Sequence, residues 1–136
     1  MPEPESSPHS EGRIDIRVRY AECDPMGVAH HTAYPVWFEM GRTELLRQRG
    51  MTYRDLEAQG VYLAVVDLSV TYKRPARYDD ELTLVTRIEG ISRVKIIHGY
   101  ELVRGRELLA TARTTLACLD RAGRAQAIPE AIASTG

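Results

Sequence analysis

The sequence predicts an α+β domain in which a five-stranded antiparallel sheet packs around one long helix. Three observations carry this. Five segments have the apolar and β-branched patterning of strands. One segment, near residues 31–50, places apolar residues at helical spacing instead. The connections between the later strands are short, which favours antiparallel neighbours.

The first strand is "RIDIRVRY", residues 13–20, where Ile14, Ile16, Val18 and Tyr20 point one way and Arg13, Asp15, Arg17 and Arg19 the other. Pro25 and Gly27 mark residues 21–30 as a loop. In the helix that follows, Tyr34, Trp37, Phe38, Gly41 and Leu45 form one stripe, and Gly41 within it lets a sheet approach closely. Pro35 belongs to the first turn, where a missing N–H does little harm. Gly50 is placed to end the helix. Thr52, with Asp55 three residues on, caps a short second helix that Gly60 closes. Strands are expected over 61–73, 81–89, 94–103 and 107–119, the last two joined by the turn "RGR". Residues 1–12, acidic and rich in Pro and Ser, read as a disordered tail, 13–120 as the domain, and 121–136 as a C-terminal tail.

The 136 residues suit one domain, long enough to bury a core without disulfides or metal. A net charge of −1 gives no general reason to expect nucleic acid as a partner. No apolar run is long enough for membrane insertion, and the N-terminus lacks the apolar core of a signal peptide. Cys23 and Cys118 form no CxxC pair and the four histidines are scattered, so a reduced cytoplasmic protein without bound metal is the expectation.

A strand ending in "RYAECD", then "PMGVAHHTAY", then "WFEMGR" resembles the opening of the 4-hydroxybenzoyl-CoA thioesterase family of hotdog-fold proteins. It is most similar to the branch of acyl-CoA thioesterases associated with the Tol-Pal system. The matching positions are Tyr20, Glu22, Cys23, Asp24, Gly27, His31, Tyr34, Glu39 and Arg42; "VTYKRPARYDDELTL" resembles the family's second strand and the loop after it. His30 departs from the branch, which commonly has an aromatic residue there. The resemblance covers roughly residues 13–120. It implies the hotdog fold, a homodimer or homotetramer with sites at the subunit boundary, an acyl-CoA substrate, and no metal or redox cofactor.

It also gives the loop its chemistry. By itself "CDP" reads as a turn aspartate; within the family motif Asp24 is the reactive carboxylate, acting as general base or as nucleophile. A helix starting near His31 offers unpaired N–H groups and a positive dipole end to an oxyanion. The His31 side chain either orients Asp24 and water or caps the helix. Tyr20 is a core tyrosine or bonds to the site through its hydroxyl. Gly27 provides a backbone position that a side chain would obstruct, Val28 and Tyr34 line the pocket, and His30 lines the pocket or is exposed. For the nucleotide of coenzyme A the candidates are Lys73, Arg74, Arg77, Arg93 and Lys95. Glu39 and Arg42 read as an intrahelical ion pair, His98 as a satisfied core or interface residue, and Cys23 as a bystander. Acyl carrier protein in place of coenzyme A, or binding without catalysis, are the alternatives; a hydratase does not fit the motif. The apolar second strand is a plausible edge for a second copy.

Overall fold

The computed structural model of the protein describes residues 10–133. Strands β1 (Glu11–Arg17), β2 (Tyr62–Tyr72), β3 (Glu81–Ile91), β4 (Lys95–Arg104) and β5 (Glu107–Leu119) form one antiparallel sheet in the order β1-β3-β4-β5-β2. Helix α1 (Ala33–Gln48) lies on one face of it, followed by α2 (Tyr53–Ala58); α3 (Glu130–Ala133) ends the described chain.

The predicted stripe is what α1 buries: Tyr34, Trp37, Phe38, Gly41 and Leu45 all face the sheet. Gly41 is required there. A β-carbon would overlap Thr86 Oγ1 and come within 2.8 Å of Leu84 Cδ2, both on β3. The helix ends as expected, with Gly50 at φ 84° donating its N–H to Arg47 O at 2.9 Å. Thr52 Oγ1 accepts the Asp55 N–H at 3.1 Å and starts α2.

The sheet's inner face carries Ile14 and Ile16 of β1, Leu82 to Ile88 in alternation on β3, and Ile96, His98, Tyr100 and Leu102 of β4. Two apolar clusters result. One gathers Ile16, Val18, Tyr34, Trp37, Phe38, Leu84, Tyr100 and Leu102. The other gathers Leu46, Leu56, Val61, Ile96, Cys118, Ile128 and Ile132. The buried polar residues Arg42, Thr86, His98 and Thr114 lie where these clusters meet. Arg42 sits between Phe38 and Leu46 on α1, and His98 between Ile96 and Tyr100 on β4.

Several expectations need correction. β1 ends at Arg17, and Tyr20–Glu22 form a 3-10 turn, because the chain must leave the sheet to reach the start of α1. β1 also begins at Glu11, which removes residues 11 and 12 from the expected N-terminal tail; residues 1–9 of that tail lie outside the described residues. The segment after β5 folds back rather than trailing away: the Ile128 N–H donates to Arg93 O at 2.8 Å, and Ile128 and Ile132 are buried. Glu39 and Arg42 do not pair. Arg42 turns inward, where its Nη1 donates to Tyr100 Oη at 3.5 Å, and Glu39 stays exposed. His98 is a core residue as expected, but its Nδ1 has no hydrogen-bond partner. At the sheet's edge, β2 leaves Val65, Val66, Leu68 and Tyr72 exposed, with a register shift between Val65 and Asp67.

Candidate active site

The loop from Val18 to Thr32 is fixed by two carboxylates. Glu22 accepts the Arg19 N–H at 2.8 Å and the Trp37 Nε1–H at 2.8 Å, which ties the loop to the first turns of α1. Asp24 Oδ1 accepts the N–H groups of Met26 (2.9 Å) and Val28 (3.1 Å), closing a tight turn after Pro25. Asp24 Oδ2 makes no hydrogen bond among the described residues. The chain then runs beside residues 76–78: the Tyr78 N–H donates to Gly27 O at 2.9 Å, Val28 bridges Arg77, and the Ala29 N–H donates to Ala76 O at 2.8 Å.

These connections build one wall of a cavity of about 270 Å³ lined by Val28, Ala29, His31, Tyr34, Tyr72, Lys73, Arg74 and Pro75. Tyr34 is buried and packs its ring at 4.9 Å from both Trp37 and Tyr72. Burial pushes the Tyr34 phenol up from its ordinary value. His31 is exposed at the cavity's edge, two residues before α1 begins. Its carbonyl accepts from Tyr72 Oη at 3.4 Å, and its N–H has no acceptor among the described residues. His30 does the capping: its Nδ1 lies 2.8 Å from Thr32 Oγ1 and accepts the Thr32 N–H at 3.3 Å.

The cavity thus unites Val28, His31, Tyr34, Lys73 and Arg74 from the expected set and adds Ala29, Tyr72 and Pro75; Gly27 and His30 are not part of the lining. Asp24 is one hydrogen bond removed, held against Val28, and is not itself part of the lining. Tyr20 is displaced furthest from expectation. It is 81% exposed and meets Tyr78 edge-on, because β1 stops before reaching it. Gly27 is needed for its φ of 77°; a β-carbon there would meet nothing within 4 Å, so obstruction is not the reason. Arg93 and Lys95 sit at the other end of the sheet. Lys95 pairs with Ala117 and Tyr72 with Ala110, seven residues apart along β5, or about 23 Å. Cys23 is held protonated: burial, then Glu22 and Asp24, push its thiol up. Sequence reasoning gave Glu22 no role and did not place Tyr72 at the site; an acidic residue fifteen positions before a tryptophan gives no local signal.

Comparison with known proteins agrees with this architecture. The model of the thioesterase-like superfamily matches residues 18–135. A putative acyl-CoA thioesterase, YneP, of Bacillus subtilis is 39% identical over 108 residues, covering 79% of this chain and 78% of its own. The acyl-CoA thioester hydrolase YbgC of Escherichia coli O6:H1 is 32% identical over 109 residues, 79% of this chain and 81% of its own. The crystal structure of the DHNA-CoA thioesterase from Staphylococcus aureus superposes with a TM-score of 0.82 at 33% identity, over 86% of this chain and 80% of that one. A sheet of five antiparallel strands laid over a long helix, matched by family across nearly the whole described chain, settles the membership: this protein has the hotdog fold and belongs to the thioesterase-like superfamily.

Proposed function

We propose that the protein hydrolyses acyl-CoA thioesters to a carboxylic acid and coenzyme A in the cavity at the start of α1. One observation carries the reading: the unengaged His31 N–H lies at the cavity's edge, and the loop that forms the cavity wall holds Asp24 with one oxygen fixed and the other unbonded. A thioester carbonyl set against that N–H would develop its negative charge at the positive end of the helix. A preorganised donor of this kind lowers such a barrier by ~3 kcal/mol. Asp24 Oδ2 either takes a proton from the attacking water or attacks the carbonyl itself, giving an anhydride that water then opens. The rings of Tyr34 and Tyr72 offer an apolar wall to the acyl group, and Lys73 faces the phosphates of the carrier. The scheme uses no metal or redox cofactor.

The β2 edge supports a homodimer. Its free backbone groups and exposed Val65, Val66 and Leu68 suit pairing with a second copy, which a dimer of dimers would extend to a tetramer. Sedimentation at working concentration checks this, a monomer being the contrary result. The proposed compartment is the cytoplasm, consistent with two unpaired cysteines; among the described residues no helix is long and apolar enough to cross a membrane. The test of the activity is thiol release from a series of short, long and aromatic acyl-CoAs. Release of coenzyme A with stoichiometric free acid is expected for at least one of them. Acyl-CoA that binds and survives across the series sinks the proposal.

A further inference from the structure

Among the large apolar residues, Tyr20 and Met26 are the most exposed, at 81% each, and Tyr78 is half exposed. Tyr20 and Tyr78 contact each other with centroids 5.6 Å apart and planes at 84°. The rings are open to solvent, yet the backbone that presents them is tightly held. The Tyr78 N–H donates to Gly27 O at 2.9 Å, the Asp79 N–H to Val18 O at 3.0 Å, and the Val18 N–H to Asp80 O at 3.0 Å. Asp79 sits at φ 70°, the one non-glycine among the described residues in the left-handed region, and its carbonyl accepts from Arg17 Nη1 at 3.0 Å. A strained residue pinned on both sides fixes where Tyr78 stands. Nothing in the described chain covers the pair, and its hydroxyls make no hydrogen bond that would explain it.

The pair is continuous with the cavity. Tyr78 faces Gly27 across the same ladder whose next rungs, Val28 with Arg77 and Ala29 with Ala76, lead to the cavity wall, about 7 Å away along the chain. Lys73, which lines the cavity, and Arg77 carry no ion pair among the described residues. We propose that Tyr20 and Tyr78 form a stacking platform for the adenine of the coenzyme A carrier, with its phosphates directed to Lys73 and Arg77. This rests on the acyl-CoA reading above and names the part of the carrier that is recognised. Aromatic rings hold a base by its flat face, independently of its hydrogen-bonding edge. At 84° to each other the two rings form a corner, one giving its face to the base and the other its edge. Such a corner suits a flat base.

The test is equilibrium binding of adenosine 3′,5′-bisphosphate, the nucleotide part of the carrier without a thioester, measured calorimetrically with the full chain. Wild type should bind it. Tyr20→Ser and Tyr78→Ser should each weaken binding about tenfold, and Tyr20→Phe should retain it. The ratio of kcat/KM on an acyl-CoA to that on the matching acyl-N-acetylcysteamine should fall by a similar factor in the Ser variants. Equal binding by all four proteins, or none by wild type, overturns the platform. So does binding of acyl carrier protein that the Ser variants lose while the bisphosphate does not bind. Thiol release without bisphosphate binding leaves the hydrolase standing and removes the platform. Bisphosphate binding that the Ser variants lose, without thiol release, does the reverse.

Discussion

Just before its first turn α1 leaves the His31 N–H without an acceptor among the described residues, beside an open cavity; about three turns further on, Arg42 is buried against Tyr100, which in turn sits 2.7 Å from Thr114 Oγ1. Both regions bring polar groups to the same helix. At the start they are oriented but unengaged, as a reacting centre needs. In the middle they are enclosed between two apolar clusters and engage mainly one another. Even there the pairing is incomplete: His98 Nδ1 and Thr86 Oγ1 lack partners, and each such buried group costs ~1–3 kcal/mol. On the proposed function the helix has a chemical end and a structural middle, and changes to the two should separate activity from stability.

The largest expected effect lies in the middle. Burial first, then Arg42 and Arg49, hold the His98 imidazole down from 6.5 to about 3. The unfolded chain takes up a proton below pH 6.5 while the folded one does not until about pH 3, so stability is full above pH 6.5 and falls as pH drops towards 3. The slope from this one group is ~1.4 kcal/mol per pH unit. Urea unfolding of wild type and His98→Gln between pH 7 and 4 checks it; identical slopes would mean that His98 is not held neutral. Next comes Gly41→Val, whose side chain has to displace Thr86 and Leu84 at a cost of ~3 kcal/mol. A melting temperature within a degree of wild type would show that α1 does not lie tightly on β3. At the start of the helix, Glu22→Gln replaces a carboxylate that accepts three hydrogen bonds, from the Arg19 N–H, Arg19 Nη2 and Trp37 Nε1, with a neutral amide whose single oxygen cannot serve both ends. It should cost ~2 kcal/mol and lower kcat/KM by freeing the loop from Trp37. Unchanged kinetics and stability would remove Glu22 as the positioning group. The smallest effect is that of Thr52→Ala, a lost helix cap worth ~1 kcal/mol with no change in kcat.

The same division governs what the sequence makes legible. The α1 stripe, the close approach at Gly41, the Gly50 terminus and the Thr52 cap are set by neighbours within a few residues, and all were readable. So was β5, whose expected and observed bounds coincide. What failed depends on distant partners. Tyr20 alternates with Ile14, Ile16 and Val18, yet the strand ends where pairing with β3 ends, at Arg17 opposite Glu81. Spacing makes Arg42 look like Glu39's partner, three residues away; its hydrogen bonds run instead to Tyr53 and to Tyr100, eleven and fifty-eight residues on. Lys73 and Lys95 were grouped by charge, and only the register of β2, β5 and β4 shows them to be at opposite ends of the sheet. At the candidate site, the loop before the helix and its acidic residue were legible from the motif. So was the turn that Asp24 closes, from "CDP" alone; the tie from Glu22 to Trp37 was not.

The most direct measurement is thiol release by Asp24→Asn set beside its thermal unfolding. Asparagine keeps an oxygen for the Met26 and Val28 N–H groups, so the turn is preserved while the charge is lost. The expectation is a kcat lower by about 10²–10⁴-fold with a melting temperature close to that of wild type. Retained kcat in a folded Asp24→Asn protein would contradict the account, leaving Asp24 as a turn residue and placing the hydrolytic chemistry elsewhere in the molecule.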